Sequence, residues 1–264
     1  MSSVFENEFR ASATKLTVDL CHRALIRASL KGYEKNRDEK RARFQSWELA
    51  RQAAAETKWE AINHLDSYLS KFADNLAKRG TKLFWASTAE DARNYILNLA
   101  REKQARTIVK SKTMTSEEIH LNEALAKAGY EIVESDSGEY IVQLRGEAPY
   151  HLVFPAMHLS REEISELFHE KLGTPETGNP EELTMLAKRQ MRMKYCQADI
   201  GISGANFAVA ETGMISITEN EGNHCIALSR AQRLIHYWRG PGPERHRSSQ
   251  RRVFGNTGNP GKDE

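Results

Sequence analysis

Cysteine is scarce in this 264-residue chain: Cys21, Cys196 and Cys225 are an odd number, far apart, with no C-x-x-C spacing among them. That pattern excludes a disulfide framework and a thiolate metal cluster, and it points to free thiols in a reducing compartment. The opening residues MSSVFENEFR do not place a basic segment ahead of an apolar run, and nowhere do about 18 apolar residues follow one another. No membrane span and a cytoplasmic location are the expectation. An H-E-x-x-H motif is missing, and no two of His151, His158 and His169 stand three or four apart, the spacing that puts two ligands on one helical face. No metal ligand is therefore assigned. The first 78 residues contain no proline and one glycine, Gly32.

That leading segment is rich in Ala, Lys, Arg and Glu, and it reads as a helical extension. Leu16, Leu20, Ala24 and Ile26–Leu30 suggest one amphipathic stretch, and Trp47, Leu49, Ala54, Trp59, Ile62, Leu65, Tyr68, Leu69 and Phe72 recur at near-helical spacing. Acids interleave with bases in the block KGYEKNRDEKRAR at 31–43, as on a solvated helix face. Over the whole chain 38 basic residues nearly balance 36 acids, but 224–264 holds eight bases against three acids. Arg230, Arg233, Arg239, Arg245, Arg247, Arg251 and Arg252 show no order beyond their abundance, so nucleic acid is not an expected partner. GPGPER and GNTGNPGKDE favour disorder in that tail.

From Thr81 the pattern becomes short apolar strands alternating with capped helices. TKLFWA (81–86), TIVK (107–110), EIVES (131–135), EYIVQL (139–144) and HLVFPA (151–156) read as strands. Ser87 with Glu90 reads as a capping box opening a helix over 89–103, and Thr115 with Glu118 as a cap for a helix through Ala128 that ends at Gly129. Ser160 with Glu163, and Asn179 with Pro180, open two more. This order predicts an α/β fold with a mixed, largely parallel sheet covered by helices.

The densest signal is Ala198–Asn223, ADIGISGANFAVAETGMISITENEGN, where Gly201, Gly204, Gly213 and Gly222 punctuate strand-like runs. Asp199, Asn206, Glu211, Thr212 and Asn223 project from its turns, at strand ends where sites in α/β folds collect. Lys110-Ser111-Lys112-Thr113 follows a strand and precedes a capped helix, a place suited to receive a carboxylate or phosphate. The candidate ligand-binding set is thus Lys110, Ser111, Lys112, Gly204, Asn206, Thr212 and Gly213. Asp136, Glu139 and Glu211 are carboxylates on turns beside strands, and convergence of two would hold one protonated for acid–base work. Capping roles suit Asp136 and Glu139 better, which leaves Glu211 as the catalytic candidate. Cys196 has no base partner in view, and a buried, inert thiol is expected.

Four blocks, IVKSKTMTSEEIHLNEAL (108–125), ESDSGEYIVQL (134–144), HLVFPAMHLSREEISELFHEKLGT (151–174) and the glycine-rich 198–223, resemble the lactate utilization protein B family, iron–sulfur subunits that carry a LUD domain. The resemblance covers roughly residues 5–223. It implies a three-layer α/β LUD domain over 79–223 behind a helical extension over 1–78, with a fold related to sugar-phosphate isomerases and CoA-transferases, in which a glutamate does the chemistry. It also implies partnership with other subunits of a complex that oxidises L-lactate to pyruvate through [4Fe–4S] clusters. Full-length members hold those clusters on two cysteine-rich runs, whereas no cofactor is expected in this chain. After Asn223 the segment 224–264 departs from the family pattern, as a shifted reading frame would make it do. A truncated, non-electron-carrying form, inactive alone and poorly soluble, is the resulting expectation. The alternative is a stand-alone LUD enzyme or binding module for a small carboxylated or phosphorylated metabolite.

Overall fold

The computed structural model describes residues 2–218, 233–239 and 252–258. Four helices come first: α1 (Ser2–Val18), α2 (Leu20–Arg41), α3 (Trp47–Asn63) and α4 (Leu65–Lys78). Asp19 and Ser46 cap α2 and α3 by accepting from the backbone N–H of His22 and Leu49. Neither α2 nor α3 has a buried residue, while α4 buries Phe72 and Leu76. The helical extension is therefore present: its last helix is fastened to the domain by buried side chains, and α2 touches the domain through His22 on Tyr150 at 2.8 Å and Tyr33 edge-on to Phe154.

The domain alternates strands and helices: β1 (Lys82–Ala86), α5 (Ala89–Glu102), β2 (Thr107–Lys110), α6 (Met114–Glu118), α7 (Leu121–Lys127), β3 (Glu131–Glu134), α8 (Ser137–Arg145), α9 (Arg161–Leu172), α10 (Pro180–Gln197) and β4 (Ile200–Gly204). A hairpin of β5 (Phe207–Val209) and β6 (Met214–Ser216) follows, then β7 (Arg233–Arg239) and β8 (Arg252–Gly258). The sheet order is β1-β8-β7-β4-β2-β3. β3, β2, β4 and β7 pair parallel, and β8 pairs antiparallel with both β7 and β1. The sheet is thus mixed and largely parallel, as expected. Two of its strands lie inside the segment read as a tail, and the remainder of that segment, with Asn223 and Cys225, lies outside the described residues.

Helices cover both faces because successive side chains of a strand point to opposite sides. Ile108, Ile200 and Ile202 pack with Ile96, Leu99, Leu121 and Leu125 of α5 and α7. Val109 and Val133 pack with Tyr140, Met191 and Tyr195 of α8 and α10. Burial of apolar surface, worth about 25 cal/mol per Å², holds these two layers to the sheet.

Four local readings are corrected. EYIVQL is not a strand but lies in α8, because Asp136 caps it by accepting from the Glu139 N–H, and Gly146, at φ +74°, closes it in a left-handed conformation. HLVFPA forms no strand; Pro155 and its neighbours make a turn in which Pro155 packs against Gly138. The box opening α5 is Thr88 with Asp91, one residue beyond Ser87 and Glu90. The helix expected from Thr115 to Ala128 is split into α6 and α7 by His120, whose φ of +50° no continuous helix allows. The Ser160–Glu163 box and the Asn179 cap with Pro180 stand as expected.

Candidate functional site

The carboxyl ends of β2, β3 and β4 lie side by side, the edge where parallel sheets present their ligands. Register brings Lys110 opposite Glu134 and next to Ile202. Lys110 is fully buried. Its ammonium reaches Ser116 Oγ at 2.9 Å, Glu117 Oε1 at 2.7 Å and Glu134 Oε1 at 2.8 Å. Burial alone would depress its pKa, but Glu134, Glu117 and Glu139 outweigh it and hold the ammonium above its ordinary value.

Glu134 is buried and also accepts from Asn122 Nδ2 at 2.6 Å. Glu139, at the start of α8, is buried beside it. Burial, then the Glu134 carboxylate, pushes its carboxyl up to about 8 against the pull of Lys110. At neutral pH Glu139 is a carboxylic acid. The Oε2 atoms of both glutamates are buried with no hydrogen-bond partner among the described residues. Of the three turn carboxylates weighed for convergence, Asp136 caps α8, Glu139 stands beside Glu134, a residue outside that set, and Glu211 lies elsewhere.

The rim of this edge is polar. Lys112 Nζ stands 3.9 Å from Asp136 Oδ2 and 3.4 Å from the Val153 carbonyl, with the side chain part exposed. Ser111 is buried, its N–H donating to the Ile202 carbonyl at 2.8 Å. Gly204 ends β4 against Thr113: a Cβ there would meet Thr113 Cβ at 2.9 Å. Lys110, Ser111, Lys112 and Gly204 are thus gathered at one edge.

Glu211, Thr212 and Gly213 sit in the turn of the β5–β6 hairpin, which docks on α4. Asn75 Nδ2 donates to the carbonyls of Ala210 and Glu211, and Arg79 Nε donates to that of Thr212 at 2.7 Å. The Glu211 residue is exposed. Asn206 Oδ1 accepts from the Thr218 N–H, closing the base of the hairpin, and Asp199 accepts from the N–H groups of Arg106 and Thr107. His151 accepts from the Val153 N–H, His158 pairs with Glu147, and His169 pairs with the Thr174 carbonyl. Cys196 is exposed, not buried, since it falls on the outer side of α10 between the buried Tyr195 and Ala198.

Glu117, Glu134, Asn122 and Ser116 were not singled out from the sequence. One signal was available: TIVK and EIVE are consecutive four-residue strands that end in opposite charges, and parallel pairing in register makes those ends neighbours.

A [4Fe–4S] cluster takes four cysteine thiolates. Cys21 and Cys196 stand exposed on α2 and α10, and among the described residues no group of His, Cys, Asp or Glu could hold a metal. Among the described residues the donors do not fit a cluster.

The LUD domain profile matches residues 69–234. Lactate utilization protein B of Oceanobacillus iheyensis is 47% identical over 178 residues, which are 67% of this chain and 37% of that protein. The protein of the same name from Geobacillus sp. is 47% identical over 179 residues, and that from Bacillus subtilis is 46% identical over 179 residues. These alignments span 37–38% of the relatives' lengths. No solved structure matches. Among the described residues no helix is long and apolar enough to cross a membrane.

Proposed function

Because the chain belongs to the LUD domain family and is similar over two thirds of its length to lactate utilization protein B, we propose that it serves lactate utilization by binding a small anionic metabolite at the carboxyl edge of its sheet. The 47% identity to proteins named for lactate use carries this reading. The edge supports it chemically: Lys112 stands part exposed at the rim, and behind it Lys110 and the protonated Glu139 form a preset charge and proton arrangement. In the cytoplasm the chain works with other subunits of an L-lactate-oxidising complex. Cluster-borne electron transfer belongs to cysteine-rich polypeptide elsewhere, because the donor set here does not fit one.

A second reading, a stand-alone enzyme acting on a carboxylated or phosphorylated metabolite, draws support from Glu139, an acid poised near neutrality. On that reading Glu211 remains the other catalytic candidate, and Glu211→Gln abolishes turnover. Unchanged kinetics would remove it from the mechanism.

Calorimetric titration with L-lactate and with inorganic phosphate tests the binding site. Saturable binding that weakens on Lys112→Ala supports it, and absence of any anion binding refutes it. Iron and labile sulfide at stoichiometric level in the purified chain would overturn the assignment of electron carriage elsewhere.

A further inference from the structure

The ammonium of Lys110 spends its three hydrogens on Ser116, Glu117 and Glu134. Two of these partners are interior, since Ser116 and Glu134 are both buried. Glu117 is different: its side chain keeps 31% of its exposure while its Oε1 sits 2.7 Å from Lys110 Nζ. The approach from solvent to this buried cation therefore runs through one carboxylate that already touches water.

The element that carries Glu117 is short, and it is held by the buried Thr115, Ser116 and Ile119, with Arg93 Nη1 on the Ile119 carbonyl at 2.8 Å, rather than by side-chain caps. α6 has five residues, its N-cap Thr113 makes no side-chain cap bond, and His120 follows it at φ +50°, a left-handed backbone that costs a non-glycine residue energy. Because the Glu117 side chain is already part exposed, rotation about its own bonds would take its carboxylate into water and vacate its place on Lys110 while the buried residues of the turn stay seated.

We propose that Glu117 is the tethered occupant of a monocarboxylate seat on Lys110, and that a small monocarboxylate from solution binds by displacing it. The exchange swaps one singly charged carboxylate for another, so the balance around the buried cation is conserved. A phosphate dianion would bring a second negative charge beside Glu134, where little water screens it. The inference rests on the proposed anion site and narrows its ligand to monocarboxylates. It also gives the site a built-in competitor: a tethered carboxylate acts at about millimolar effective concentration, and the apparent affinity for the free ligand falls by the fraction of time the seat is occupied.

Thermal melts of the full chain test it, using sodium acetate, sodium L-lactate, phosphate and chloride at matched pH and ionic strength. Glu117→Ala empties the seat, so its melting temperature should rise saturably with acetate or lactate, with an apparent Kd at least about tenfold lower than for the wild type. Glu117→Gln keeps the seat filled with a neutral isostere and should show no such gain. Equal response of Glu117→Ala and wild type, or equal stabilisation by phosphate and chloride, overturns the proposal. Wild-type carboxylate binding that weakens on Lys112→Ala, with no gain in Glu117→Ala, sinks the exchange alone. Binding of phosphate but of no carboxylate sinks the exchange alone, and failure of every variant to bind any of these anions sinks both the exchange and the anion site.

Discussion

Lys110 and Glu134 end neighbouring parallel strands in direct register, and their Nζ and Oε1 atoms stand 2.8 Å apart in the protein interior. A buried pair of this kind adds little beyond what two packed apolar side chains would, because desolvating both charges offsets most of their attraction. Its consequence is asymmetric: either partner alone is far more costly than both or neither.

Lys110→Met should therefore destabilise the chain by roughly 3–5 kcal/mol, since it leaves Glu134 buried without its cation. The double variant Lys110→Met/Glu134→Gln removes both charges and should recover a large part of that loss, a coupling that denaturant melts of the two singles and the double would expose. Strict additivity would mean that the two residues do not act as a pair.

Glu139 sets a pH dependence of definite sign. Its carboxyl titrates at about 8 folded against an ordinary value of 4.5, so between those values the folded chain holds a proton that the unfolded chain has released. Its contribution to stability is in full force below pH 4.5, declines as pH rises through the window and is lost by about pH 8, at ~1.4 kcal/mol for each tenfold difference in proton affinity. Glu139→Gln, which is neutral throughout, should flatten the stability profile between pH 5 and pH 8 relative to wild type. Parallel profiles for the two proteins would place the titrating group elsewhere.

Where sequence reading succeeded, one element's own residues decided the outcome. Ser160 with Glu163 caps α9, Asn179 with Pro180 opens α10, and TIVK is a strand of the expected extent. It failed where a short apolar run fits both periods: EYIVQL alternates like a strand, yet Asp136 before it and Gly146 after it are helix punctuation that outweighs the run. That Lys110–Thr113 joins a strand to a helix was legible, because TIVK before it and the helix-forming run after it each declare their own element. The role of Glu139 was not, since its neutrality follows from Glu134 and from burial under elements far apart in the chain. Cys196 was expected buried because it has no base partner, a criterion that says nothing of helix rotation, which turns the thiol outward beside the buried Tyr195 and Ala198.

That outward thiol is directly measurable. In native protein Cys196, with Cys21, should react with a disulfide reagent at a rate comparable to the unfolded chain, and Cys196→Ser should remove one fast equivalent. Protection of Cys196 until denaturant is added would show that something covers this side of α10 in solution.

Gly213 offers the sharpest steric test. It has φ +67°, and a Cβ built on it would come within 2.6 Å of the Asn75 carbonyl carbon and 2.7 Å of the Leu76 nitrogen, both backbone atoms of α4 that cannot step aside. The same stretch of α4 holds the hairpin through Asn75 and Arg79, and Leu76 anchors Ala208, Ala210 and Ile215. Gly213→Ala therefore meets two penalties: a left-handed conformation that alanine resists by about 1 kcal/mol, and a clash that only retreat of the hairpin relieves. The expected result is a loss of about 2–4 kcal/mol with faster amide exchange confined to β5, β6 and the face of α4 beneath them. Gly80→Ala makes the control, because Gly80 has a similar φ of +74° with nothing within 4 Å of the added Cβ. If both variants lose the same stability, backbone conformation alone accounts for the effect and the hairpin is not seated tightly against α4.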